Sequence, residues 1–277
     1  MAVKSDADNG CGIAVMAKAS QPGRTKTRLV PPLTLDEAAA FNTAFLKDVS
    51  ANLQTAARAN RIHGYWAFGP PGSEIFFRQT LPREMGLIEA WHPNFGDCLF
   101  TAITELLAAG HRSAVVLNSD SPTLPTSLLI EAADVLARPG DRVVIGPSCD
   151  GGYYLLGIKR EHRRLFDQID WSTDRVKRQS VERAQEIGLE VYELPCWYDV
   201  DDLETLRMLH AELFAGRSFN PELMPNPARH TAALMRSLAA DSGLEERLGV
   251  TAPLMPAQLE PGWATALRGA VAIEPSP

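Results

Sequence analysis

The chain has 277 residues, 45% of them hydrophobic and 22% charged, which suits a large α/β domain and excludes disorder over the whole length. Its formal charge of −7 argues against a nucleic-acid polymer as partner, because such binders need a basic footprint to displace phosphate counterions.

Short apolar runs alternate with longer amphipathic ones, the pattern of βα units around a mainly parallel sheet. Residues 13–17 (IAVMA) read as a buried first strand, followed by a loop carrying Pro22, Gly23, Pro31 and Pro32. Thr34 and Glu37 have capping-box spacing and open a helix expected to reach about residue 57. Strands are predicted at 62–68 and 86–91, with a short helix near 75–79 between them. A helix over 99–109 closes at Gly110, and 113–117 is a clear buried strand ending at Asn118-Ser119-Asp120. A helix over 128–136 leads to strands at 142–145 and 153–158, which flank a glycine-containing turn. Helical stretches at 173–187 and 203–214 enclose a strand at 189–194. From Ser218 the βα rhythm stops, so a domain over 10–217 and a C-terminal extension over 218–277 are expected, the latter with a helix at 230–240 and a weakly ordered tail.

Cys11, Cys98, Cys149 and Cys196 lie far apart without CxxC spacing, so reduced thiols and a cytoplasmic location are expected rather than a disulfide framework or structural zinc. Residues 1–9 lack the apolar run of a secretory signal, and no apolar stretch approaches the ~20 residues of a bilayer span, so no membrane partner is expected.

Ligands of open α/β sheets bind beyond the carboxyl ends of the strands, and three polar clusters fall there. The first loop holds Lys18, Arg24, Lys26 and Arg28 within eleven residues, a pattern suited to phosphate oxygens. Lys26 and Arg28 would share a face if that stretch were extended; a solvated basic turn is the plainer account. Asp120 is either a divalent-metal ligand or a turn former. Asp199 and Asp201 lie on one side of an extended segment and repel unless a cation sits between them or one is protonated. Asp201 could instead cap the following helix, whereas Asp199 has no such structural role. Asp150-Gly151-Gly152 permits close backbone approach to a ligand, or is a plain hairpin turn. Trp91, Trp171 and Trp197 are expected in core or rim packing.

Four motifs in order carry a family resemblance. The stretch 14–29, AVMAKASQPGRTKTRL, resembles the N-terminal signature of the DUF2064 group, bacterial GT-A-fold proteins labelled glycosyltransferases, and is similar to the start of phospholactate guanylyltransferases. LNSDSPTLP, GPSCDGGYYLLGI and WYDVDDLETL resemble the later elements of the same family. The resemblance implies a GT-A, Rossmann-like three-layer α/β fold with a mostly parallel mixed sheet, using a nucleotide with Mg²⁺ or Mn²⁺. It implies metal ligation by Asp120, Asp199 and Asp201, and catalytic roles for Lys26, Arg28 and Asp120. Ala17, Lys18, Gly23, Lys26, Arg28, Asp97, Asp150, Gly151 and Gly152 are the implied nucleotide-binding set. Gly96-Asp97-Cys98-Leu99-Phe100-Thr101 departs from the GDLGER-like run of the relatives: Asp97 is kept, while the second glycine and the Glu-Arg pair are not. The leading expectation is transfer of an NMP from an NTP to a small phosphate- or phosphonate-bearing acceptor. Glycosyl transfer from an NDP-sugar to a hydroxylated acceptor is the alternative, and a non-catalytic nucleotide-binding protein the third; a homodimer is left open.

Overall fold

The computed structural model describes residues 10–250. In chain order these form β1 (Cys11–Lys18), α1 (Leu35–Ala59), β2 (Ile62–Gly69), α2 (Glu74–Thr80), β3 (Gly86–Glu89), α3 (Phe95–Ala108), β4 (Ser113–Leu117) and α4 (Thr126–Ala137). Then come β5 (Arg142–Pro147), β6 (Tyr153–Ile158), α5 (Val176–Glu186), β7 (Glu190–Glu193), α6 (Leu203–Phe214), α7 (Arg229–Ser242) and α8 (Leu244–Leu248). Among the described residues no helix is long and apolar enough to cross a membrane.

The strands form one sheet in the order β3-β2-β1-β4-β6-β5-β7. β6 runs antiparallel to both neighbours and the other pairings are parallel. β1 from Cys11 to Ala17 and β4 from Ala114 to Leu117 are apolar without alternation because both faces of the sheet are covered. One face packs on Phe41 and Phe45 of α1, Leu128 of α4, Leu206 of α6 and Met235 of α7. The other packs on Leu99 and Ile103 of α3 and Ala184 of α5, which makes three layers.

Local chemistry sets the helix starts. Thr34 and Glu37 make the expected capping box on α1. α3 begins four residues before its expected start, because the Asn94 side chain accepts from the Gly96 backbone N–H (2.7 Å). Asp97 therefore sits in a helical first turn. Residues 218–250 dock against the sheet domain. The N-terminus of α7 has no cap of its own; Asp48 of α1 accepts from His230 N, Thr231 N and Thr231 Oγ1 at 2.6–2.8 Å. Arg247 of α8 forks onto Glu37 with two contacts of 2.8 Å. The expected tail over 251–277 lies outside the described residues.

Candidate active site

β1 and β4 are adjacent and parallel, so the loops after Lys18 and Leu117 leave the sheet side by side. The segment after β7 starts from the far edge and returns across the ends of β5 and β6. Trp197 N donates to Pro147 O (3.1 Å), Ser121 Oγ to Tyr198 O (2.9 Å), and Val200 N to Asp120 O (2.9 Å). Burial of Trp197, Tyr198 and Val200 pins this crossing strap. Asp199 and Asp201 flank the buried Val200 and are carried to Asp120, although Asp120 lies 79 positions before the nearer of the two.

Lys26 joins the pieces. Its side chain is only 6% exposed, and its ammonium donates to Asp120 Oδ1 (2.8 Å), Asp201 Oδ1 (2.9 Å) and Val200 O (2.8 Å). All three ammonium protons thus have protein partners. Burial opposes the charge on Lys26, but Asp120 and Asp201 outweigh it and hold its pKa above the ordinary value. The stretch is not extended as the shared-face expectation required: Lys26 is left-handed (φ 51°) and starts a 3₁₀ turn, Thr27–Leu29, that buries Leu29. Arg28, 75% exposed, still reaches Asp201, with Nη1 3.8 Å from Oδ2. The capping expectation shifts by one residue. Asp202, with Thr205, caps α6, which leaves Asp201 to Lys26.

These groups line a cavity of about 750 Å³ at the carboxyl edge of the sheet. Of the residues singled out by sequence, Ala17, Lys18, Lys26, Arg28, Asp120, Asp150, Gly152, Asp199 and Asp201 line it; Gly23, Asp97 and Gly151 do not. Asp97 instead accepts from Arg163. Gly151 has φ +88°, and a Cβ there would fall 2.2 Å from Asp174 O, so its close approach is to the chain's own backbone. Asp150 Oδ1 accepts from Gly152 N (2.8 Å) within the same turn.

The electrostatics are lopsided. Asp199 is pushed up to about 7, first by burial and then by Asp150, Asp201 and Asp120. Cys149 is pushed up to about 12 by burial, by Cys196, and by Asp199 and Asp150. Lys26 thus offsets Asp120 and Asp201, and among the described residues no salt bridge of that kind reaches Asp199 or Asp150.

Sequence reasoning missed the aromatic wall. Trp91 (45% exposed), Phe95 and Trp171 line the cavity, the last two edge-to-face at 5.5 Å. Lys18 Nζ stands 5.9 Å from the Trp91 ring centre. Two glycines make room: a Cβ on Gly69 would strike Trp91, and one on Gly96 would strike Trp171. The available signal was position, since Trp91 follows the end of β3 as Asp120 follows β4. Trp197 is core, as expected.

The carboxylates of Asp120, Asp150, Asp199 and Asp201 give the cavity hard oxygen donors of the kind a divalent cation such as Mg²⁺ takes. Among the described residues no three His, Cys, Asp or Glu side chains form a ready-made ligand group, and Lys26 stands between Asp120 and Asp201. Mg²⁺ needs only one or two protein carboxylates when phosphate oxygens complete its shell. The carboxylates of Asp150, Asp201 and Asp120 crowded around Asp199, which help to raise its pKa, are a chemical fit for such an ion.

A family model described as "Uncharacterized protein conserved in bacteria (DUF2064)" matches residues 52–173, in line with the resemblance in the motifs. No curated protein matches the chain. A solved protein from Desulfovibrio desulfuricans, described as a candidate nucleotide-diphospho-sugar transferase, is 26% identical with a TM-score of 0.70, covering 83% of this chain and 95% of that one. A cytidylyltransferase from Leptospira borgpetersenii is 10% identical with a TM-score of 0.46, covering 85% and 96%. A CMP:2-keto-3-deoxy-manno-octonic acid synthetase complexed with CTP is 14% identical, also at 0.46, covering 73% and 99%. The fold is of the nucleotide-diphospho-sugar transferase, or GT-A, type.

Proposed function

We propose that the chain is a transferase acting on a nucleotide-activated substrate, and that it moves an NMP from an NTP to a small phosphate- or phosphonate-bearing acceptor. The observation that carries this reading is the meeting of Lys18, Lys26 and Arg28 with Asp120, Asp150, Asp199 and Asp201 in one cavity at the strand ends. An anionic acceptor oxygen attacks the α-phosphorus, a new P–O bond forms, and pyrophosphate leaves with the bonding pair. Reactions of this kind gain mostly from positioning and from stabilising developing charge. Lys18 and Arg28 supply cationic donors for the polyphosphate, while Lys26 keeps Asp120 and Asp201 at fixed separation. Asp199, with Asp120 or Asp201, would hold Mg²⁺ or Mn²⁺, which when bound neutralises phosphate charge. Trp91 and Trp171 offer flat apolar faces for a base or sugar.

Glycosyl transfer from an NDP-sugar is the second reading, favoured by the description of the Desulfovibrio desulfuricans relative. Incubation with NTPs and phosphorylated acids, or with NDP-sugars, in Mg²⁺ or Mn²⁺ separates the two. Pyrophosphate release supports the first, NDP release the second, and neither across a broad panel overturns the transferase assignment.

A further inference from the structure

Cys149 and Cys196 lie 47 positions apart, yet their sulfurs are 3.4 Å from each other and both residues are exposed. Backbone pairing puts them there. Ser148 and Trp197 form an isolated parallel bridge, and each cysteine is one residue from it. Side chains alternate across such a pairing, so with Trp197 buried both thiols project to the open side. The other two cysteines, Cys11 and Cys98, are buried. Cys149 precedes Asp150 in the turn that lines the cavity, and Cys196 lies three residues before Asp199 on the crossing strap.

We propose that Cys149 and Cys196 are a reversible redox modification site, closing into an intramolecular disulfide that clamps the strap to the β5–β6 turn. A bond needs the sulfurs at about 2.05 Å, a closure of little more than an ångström between two exposed segments. With a small disulfide such as oxidised glutathione as oxidant, the Cys196 thiolate attacks a sulfur of the oxidant and expels its first thiolate. The second cysteine thiolate then attacks the protein sulfur of the mixed disulfide and expels the other. The two thiol protons pass to the two released glutathione thiolates. The protein dithiol loses two electrons, and the oxidant gains them.

The test uses the full chain, reduced and then equilibrated in glutathione buffers of rising oxidised fraction. The expected result is a fall from four free thiols to two, with the loss of two hydrogens in the intact mass and a single linked peptide pair carrying Cys149 and Cys196. Cys149→Ser and Cys196→Ser should each lose that link. Amide exchange in residues 148–152 and 196–201 should slow in the oxidised wild type and stay unchanged in oxidant-treated Cys149→Ser. Four persistent thiols in fully oxidising buffer, a link to Cys11 or Cys98, or only intermolecular dimers would overturn the site. A formed disulfide with unchanged exchange in both segments would overturn the clamp.

Discussion

Lys26 occupies the left-handed region that non-glycine residues avoid, and it spends a buried charge on two carboxylates and a carbonyl. Removing that charge leaves Asp120 and Asp201 facing one another. Lys26→Met should therefore cost about 1–3 kcal/mol of unfolding free energy, with much of the loss recovered in the double variant Lys26→Met/Asp201→Asn. Urea unfolding of wild type, Lys26→Met, Asp201→Asn and the double variant checks this; equal midpoints would show that the clasp is not a structural element. Asp199 is the opposite case. Its folded-state pKa stands near 7, above the ordinary value of 3.8, so the folded chain binds the extra proton between those values. The sign follows: this residue lowers stability progressively as pH rises from about 4 to about 7. Asp199→Asn should stabilise the fold by about 1–2 kcal/mol at about pH 8, show little gain near pH 4, and abolish turnover. Thermal melts at both pH values read the outcome, and a loss of stability at the higher pH would contradict the account. Much of this chemistry was legible, because Asp199 and Asp201 alternate around Val200 and the basic loop is dense in a chain of net charge −7. What could not be read was that Lys26 turns inward, since a left-handed lysine leaves no mark in composition or spacing.

At the scale of elements, α7 and α8 are held by charge placed on a distant helix. Glu37 both completes the capping box of α1 and accepts the Arg247 fork, and those hydrogen bonds with the guanidinium first hold its carboxyl at about 2. A lowered carboxyl pKa contributes stability that is present above the ordinary value near 4.5 and is lost as pH falls toward 2. Glu37→Gln should then cost about 1–3 kcal/mol at neutral pH, and the gap from wild type should narrow across that acid range. A pH-independent gap in urea titrations would refute it. Asp48→Ala, which strips the N-terminus of α7 of its cap, should cost about 1–3 kcal/mol and raise amide exchange across 229–235 first. Exchange rising evenly over the whole chain would contradict it. The capping box on α1 was visible as Thr34 and Glu37, because a local cap is written in local residues. The cap on α7 was not, because Asp48 lies 182 positions from His230 and only the fold brings them together. The start of α3 was missed for a different reason: Asn94 precedes an exposed Phe95 and a glycine, which obscured the periodicity.

For the whole molecule, the strap from β7 back to β4 turns a sheet edge into a site. Strand order decides this: β7 is an outer strand, so its exit must cross β5 and β6 to reach Asp120. The alternation of βα units made the layered fold readable, but the position of β6 between β4 and β5 was not, because pairing partners are chosen among strands of similar apolar character. The central claim is that the cavity binds nucleotide phosphates together with a divalent cation held partly by Asp199. Titration calorimetry of a nucleoside triphosphate panel, with Mg²⁺ and with EDTA, on wild type and Asp199→Ala tests it most directly. Binding that needs Mg²⁺ in the wild type and weakens at least about tenfold in Asp199→Ala is the predicted result. Equal affinity with EDTA and in the variant would contradict it.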